Sequence, residues 1–92
     1  MQTTVYATIA KNSQAIETTV GAETVLMMIE SGRCYGLGET GSEVWRQLAA
    51  PTSMPELIER LRTIYDAPEG IVEKDVHELI EQLRHHKLVL LD

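Results

Sequence analysis

The spacing of apolar positions changes character once along this chain, near residue 37. Before that point it suits strands. Ala15–Val20 alternates β-branched and polar side chains, residues 24–29 (TVLMMI) form an unbroken apolar run, and residues 33–37 make a short third run. Alternation predicts a strand with one wet face, and a continuous apolar run predicts a strand covered on both faces. Gly21-Ala22-Glu23 and Glu30-Ser31-Gly32 separate the runs as tight turns, so the three strands form an antiparallel meander. Residues 5–9 fit either a further strand or a loose arm.

After Leu37 the period becomes helical. Residues 39–49 place Val44, Trp45 and Leu48 on one face, with Gly38 where an N-cap belongs, Glu39 at the positive end of the dipole, and Pro51 as a stop. Ser53-Met54-Pro55-Glu56 reads as a capping box opening a second helix, whose stripe is Leu57, Ile58, Leu61, Ile64 and Tyr65. Pro68 in a first turn opens a third helix that runs to about His86, with Val72, Val76, Leu79, Ile80 and Leu83 as its stripe. Residues 88–91 are a short apolar tail, either a last strand or an extended segment on the core. The expected fold class is α+β: a three-stranded antiparallel sheet followed by three helices, winged helix-turn-helix-like. One domain is expected over residues 1–92, with residues 1–12 as a possible arm or extra strand.

A chain of 92 residues holds one small core and no more. With no Phe, that core must be built mainly from Leu, Ile, Val, Ala and Met. Fourteen acidic against eight basic side chains, a formal net charge of -6, argue against nucleic acid or an anionic membrane as partner, because phosphate binding needs clustered Lys and Arg. Cys34, the single cysteine, cannot form an intrachain disulfide, which fits a reducing cytosol. The N-terminal residues lack the pattern of a signal peptide, and no apolar run approaches the ~20 residues that span a bilayer. The expected location is cytoplasmic.

Catalytic chemistry does not assemble from these residues. Cys34 with His77, His85 or His86 would make a nucleophile and base, but a lone cysteine in a strand is expected to be a small buried apolar residue. His85 and His86 are adjacent, so on a helix they point ~100° apart and share one metal ion poorly; as helix-end cations they suit the negative end of the dipole. Glu78 with Glu81, and Glu56 with Glu59, read as solvated faces. Gly36, Gly38 and Gly41 lack the phosphate-loop pattern and fit a strand-to-helix corner. An acyl carrier would need a serine for a phosphopantetheine arm, and Ser42 in Thr-Gly-Ser-Glu is a poor match. No catalytic residue, metal or cofactor is therefore expected. What remains is binding. An edge strand at residues 33–37 would offer unpaired N–H and C=O groups to a peptide, unless residues 1–10 cover it.

One stretch carries a family likeness. Gly32-Arg33-Cys34-Tyr35-Gly36-Leu37-Gly38-Glu39-Thr40-Gly41-Ser42-Glu43-Val44-Trp45 resembles the G-x-x-Y-x-L-N-x-T-G-x-x-[IV]-W pattern of PqqD-like proteins, the recognition elements of ribosomally made, modified peptides. Pro55-Glu56-Leu57, Tyr65, Asp75-Val76, Leu83 and Leu88 extend the likeness across residues 15–91. Gly38 stands where the family has Asn, exchanging one permitted N-cap for another. Ala49-Ala50-Pro51 replaces a glycine often found after the first helix.

The resemblance implies a non-catalytic module that grips the leader segment of a precursor peptide and presents it to a processing enzyme. The leader would pair with the strand of Arg33, Cys34, Tyr35, Gly36 and Leu37 and lie against the third helix at Asp75, Val76, Leu79 and Leu83. A chain of this size looks most like the small B1 partner of lasso-peptide pathways, where a separate cysteine protease removes the leader. The competing reading is a winged-helix DNA-binding regulator. Against it, the third helix carries Glu69, Glu73, Asp75, Glu78 and Glu81 opposite Lys74, Arg84 and Lys87, the wrong sign for phosphate.

Overall fold

The computed structural model describes residues 8–66, 68 and 70–91. The expected meander is present. Strands β2 (Ala15–Val20), β3 (Glu23–Met28) and β4 (Cys34–Leu37) pair antiparallel in the order β2-β3-β4, with Ile16 opposite Met27 and Leu26 opposite Tyr35. Gly21 and Gly32 take left-handed φ values of 65° and 72° in the two turns, where a side chain would be strained. The TVLMMI run does not become a strand covered on both faces. Thr24, Leu26 and Met28 are buried, whereas Val25 is half-buried and Met27 is 37% exposed. The helices pack on one side of this sheet, so its alternate residues face outward whatever their polarity.

A second three-stranded antiparallel sheet joins the ends of the chain. β1 (Thr8–Lys11) lies between β5 (Thr52–Ser53) and β6 (Val89–Leu91), with Ile9 opposite both Thr52 and Leu91. The open alternatives at residues 5–9 and 88–91 thus resolve to strands over the described residues, and β5 is an element the sequence pattern hid. The order is not three strands and then three helices. It is β1 to β4, α1 (Glu39–Gln47), β5, α2 (Met54–Ile64), α3 (Ile71–His85) and β6: an α+β fold of two sheets and three helices.

Helix ends follow local chemistry. Gly38 caps α1 with extended backbone, and Ser53 and Glu56 close the capping box of α2 reciprocally. α3 starts three residues later than Pro68 suggested. Gly70, at a φ of 90°, is its N-cap, and the Pro68 carbonyl accepts the Ile71 N–H at 3.2 Å. The far end of α3 is a Schellman motif: Leu88 N–H donates to the Leu83 carbonyl at 2.8 Å and Lys87 N–H to the Arg84 carbonyl at 2.9 Å. Lys87 holds the left-handed position, φ 63°, that glycine usually fills. Asn12 accepts this corner into the second sheet, its side chain donating to the Lys87 carbonyl at 2.7 Å. Lys87→Gly is therefore expected to stabilise the protein by about 1 kcal/mol, because the motif keeps its backbone bonds and loses the Cβ strain. A lowered urea midpoint in the variant would contradict this.

The core runs from Ile9 on the second sheet through Leu26, Trp45, Leu57 and Ile80 to Leu88. Trp45 is the joint between the two sheets. Its indole N–H donates to the Glu17 carboxylate at 3.0 Å, and the Lys11 ammonium stands 4.7 Å over its ring and 3.4 Å from the same carboxylate. The indole N–H holds the Glu17 carboxyl below the usual carboxylate range; partial burial opposes this and the Lys11 charge adds to it.

Candidate functional site: the edge of β4 and the flank of α3

Among the described residues β4 is an edge strand, paired with β3 alone. The register decides which of its backbone groups are free. Met28 N–H donates to the Arg33 carbonyl at 3.0 Å. Hydrogen-bonded and non-hydrogen-bonded pairs alternate along an antiparallel ladder, so Tyr35 and Leu37 also face β3. The N–H and C=O groups of Cys34 and Gly36 therefore point away from β3, toward the open edge.

Ser42 closes the far end of this ladder. Its hydroxyl accepts the Thr24 N–H at 2.9 Å and donates to the Leu37 carbonyl at 3.2 Å, and the residue is 0% exposed. So placed, Ser42 has no room for a prosthetic arm, which closes the acyl-carrier reading. Gly41 lets the first turn of α1 close on β4 at the same corner: a Cβ there would lie 3.3 Å from the Leu37 Cβ, with the Leu79 Cδ1 of α3 in ordinary contact at 3.8 Å.

Side-chain positions sort the residues singled out from the sequence. Arg33, Cys34 and Gly36 are exposed, Tyr35 is half-buried, and Leu37 is buried. On α3, Asp75 is exposed and Leu79 half-buried, while Val76 and Leu83 are each 3% exposed and belong to the core. Leu79 is thus the apolar residue of that helix set that stays partly exposed, its Cδ1 near Gly41 at the corner where β4 runs into α1. Asp75 and Val76 instead line a small cavity of about 160 Å³ with Thr40, Tyr65 and Ile71. The sequence reading missed His86, whose ring lies 4.6 Å from that of Tyr35; as a helix-end histidine it carried no signal of a strand contact.

Cys34 is exposed, against the expectation of a buried apolar thiol. It shares the outer face of the sheet with Met27, its cross-strand partner, and no layer covers that face among the described residues. No cluster of three or more metal-ligating side chains occurs among the described residues, and none of their helices is long and apolar enough to cross a membrane. A cavity of about 600 Å³ lies elsewhere. It lies between α2 and α3, lined by Met54, Ile58, Glu59, Glu73 and His77, on the face of α3 opposite Leu79.

The sequence profile of the family described as "Coenzyme PQQ synthesis protein D (PqqD)" matches residues 23–89. The chain belongs to the PqqD family. No curated protein sequence matches this PqqD-family chain. Two solved structures share its fold. One is TbiB1 in complex with the TbiA(beta) leader peptide, with a TM-score of 0.80 at 21% identity over 87% of this chain and 93% of that one. The other is a lasso peptide synthetase B1 complexed with the leader peptide, with a TM-score of 0.77 at 18% identity over 89% of this chain and 96% of that one.

Proposed function

We propose that this PqqD-family chain binds the leader segment of a ribosomally made precursor peptide by strand addition to β4. It then presents the leader to a separate processing enzyme, a leader protease of the cysteine type, and carries out no chemistry itself. The observation that carries the reading is the edge of β4, where Cys34 and Gly36 turn their backbone groups outward beside half-buried Leu79. Backbone pairing of this kind supplies affinity without regard to sequence, and flanking side chains supply selection. Both similar structures hold leader peptides, which supports a peptide as the partner. The acidic surface of α3, with Glu73, Asp75, Glu78 and Glu81, disfavours duplex DNA on that helix.

The test has two steps. Tagged protein expressed in its native host captures the bound peptide, which mass spectrometry identifies. Hydrogen exchange with and without that peptide then locates it. Amides of Cys34 and Gly36 are expected to slow on binding while those of residues 57–64 do not. Equal protection in both segments, or none in β4, would place the peptide elsewhere.

A further inference from the structure

Residues four apart along a helix stand in a row and form a ridge. On α2 one such row is Met54, Ile58 and Arg62, and on α3 another is Glu73, His77 and Glu81. The two rows start from one ion pair, Arg62 with Glu73, and leave between them the cavity of about 600 Å³. Ile9 and Leu91, partners in the second sheet, line it as well. Each row covers about 12 Å, a little over two helical turns.

The chemistry of this groove is divided. Part of its lining is apolar: Met54 and Ile58 are half-buried, and Leu91 is 40% exposed. The rest is acidic, with Glu59, Glu73 and Glu81 set against Arg62. Arg62 takes one oxygen of Glu73, and Arg84 takes Glu81 from the same helix. Two acceptors stay open. Glu59 forms no ion pair among the described residues, and Glu73 Oε1 is buried with no hydrogen-bond partner among them. A buried carboxylate oxygen left unpaired is costly, and a donor that reaches it recovers that cost. The groove therefore calls for an occupant with apolar surface and a positive charge side by side. A helix laid between two helices sets its own ridge between theirs, and two of its turns match the length of these rows.

We propose that this groove holds a helical segment of a second protein, one that carries Lys or Arg a single turn away from Leu, Ile or Met. The cation reaches Glu73 Oε1 and Glu59, and the aliphatic side chain lies on Met54, Ile58 and Leu91. The groove is on the face of α3 opposite Leu79, so the edge of β4 stays open while it is filled, and the inference does not depend on what that edge binds. The test begins in the native host, with the full chain carrying p-benzoylphenylalanine in place of His77, an exposed residue at the middle of the α3 row. Irradiation should link a segment of a second protein, and mass spectrometry of the linked fragment should find the basic residue three or four positions from the aliphatic one. A synthetic peptide of that fragment is then the binding probe. Replacing its Lys or Arg by norleucine should weaken binding about tenfold, the scale of one charge-assisted hydrogen bond. Glu73→Gln in the chain should do the same, and the two changes together should cost no more than either alone. Glu59→Lys, at an exposed position, should also weaken the peptide about tenfold and keeps the test alive should Glu73→Gln disturb α3. Four results overturn the inference: no crosslink, a fragment from the precursor peptide or from a second copy of this chain, a fragment without that pairing of residues, or an affinity that neither Glu73→Gln nor Glu59→Lys lowers. None of them decides strand addition to β4, which exchange at the Cys34 and Gly36 amides reports separately.

Discussion

Cys34→Pro is expected to weaken leader binding by about 2–4 kcal/mol, roughly thirty- to a thousandfold, in a protein that still folds. The residue's N–H points to the open edge, so the ladder with β3 keeps its bonds when that hydrogen is removed. Its side chain is exposed, so a pyrrolidine ring displaces no core atom. Proline is tolerated on an edge strand in this orientation. The added peptide, however, loses one donor, and its carbonyl is left facing a carbon ring in a partly dry groove. The lost bond and the stranded acceptor together set the magnitude. Tyr35→Pro is the contrasting variant. Its N–H faces Leu26 in β3, so that change should lower the urea midpoint itself. Fluorescence anisotropy with the captured peptide, beside urea unfolding of each variant, separates the two effects. Wild-type affinity in folded Cys34→Pro would mean that the peptide does not use this edge.

The contrast between Cys34 and Tyr35 also marks how far the sequence could be read. The β2–β3–β4 meander was legible because two glycine turns punctuate apolar runs, and the capping box of Ser53 and Glu56 located α2 by local chemistry alone. The second sheet was not legible. Its strands have two to four residues, too short for a period to emerge, and it pairs Ile9 with Leu91 from the opposite end of the chain. Thr52 and Ser53 were hidden further because a cap and a strand end occupy the same residues. Burial was legible only as a pattern, not as layers. TVLMMI looks the same whether one face or two are covered, so the exposure of Met27 and Cys34 awaited the placement of the helices. In the same way the α3 stripe held Val76, Leu79 and Leu83 together, and only packing set Leu79 apart from the two core residues. Which amides of β4 point outward depends on register, and one bond, Met28 N–H to the Arg33 carbonyl, supplies it.

Ser42→Ala is expected to destabilise the fold by about 2–4 kcal/mol, a large loss for removing one oxygen atom. Thr24 N–H and the Leu37 carbonyl stand opposite each other at the last pair of the β3–β4 ladder, where a regular strand pair would bond them directly. Here the Ser42 hydroxyl bridges them, accepting from one and donating to the other. Alanine removes both bonds at once and leaves a donor and an acceptor in a site closed to solvent, the costly half of hydrogen-bond energetics. The bridge also ties the first turn of α1 to the strand edge. Its loss should therefore fray the Leu37 end of β4 and weaken peptide binding beyond what a distant core change of equal cost would do. Urea unfolding of Ser42→Ala, with Thr40→Ala as an exposed control on the same turn, measures the first effect. Exchange rates of the Tyr35 and Leu37 amides measure the second. A loss under about 0.5 kcal/mol, the size of an ordinary surface substitution, would mean that the strands close directly, Thr24 to Leu37, once the hydroxyl is gone. The serine would then act as a spacer between β3 and β4 and not as their tie.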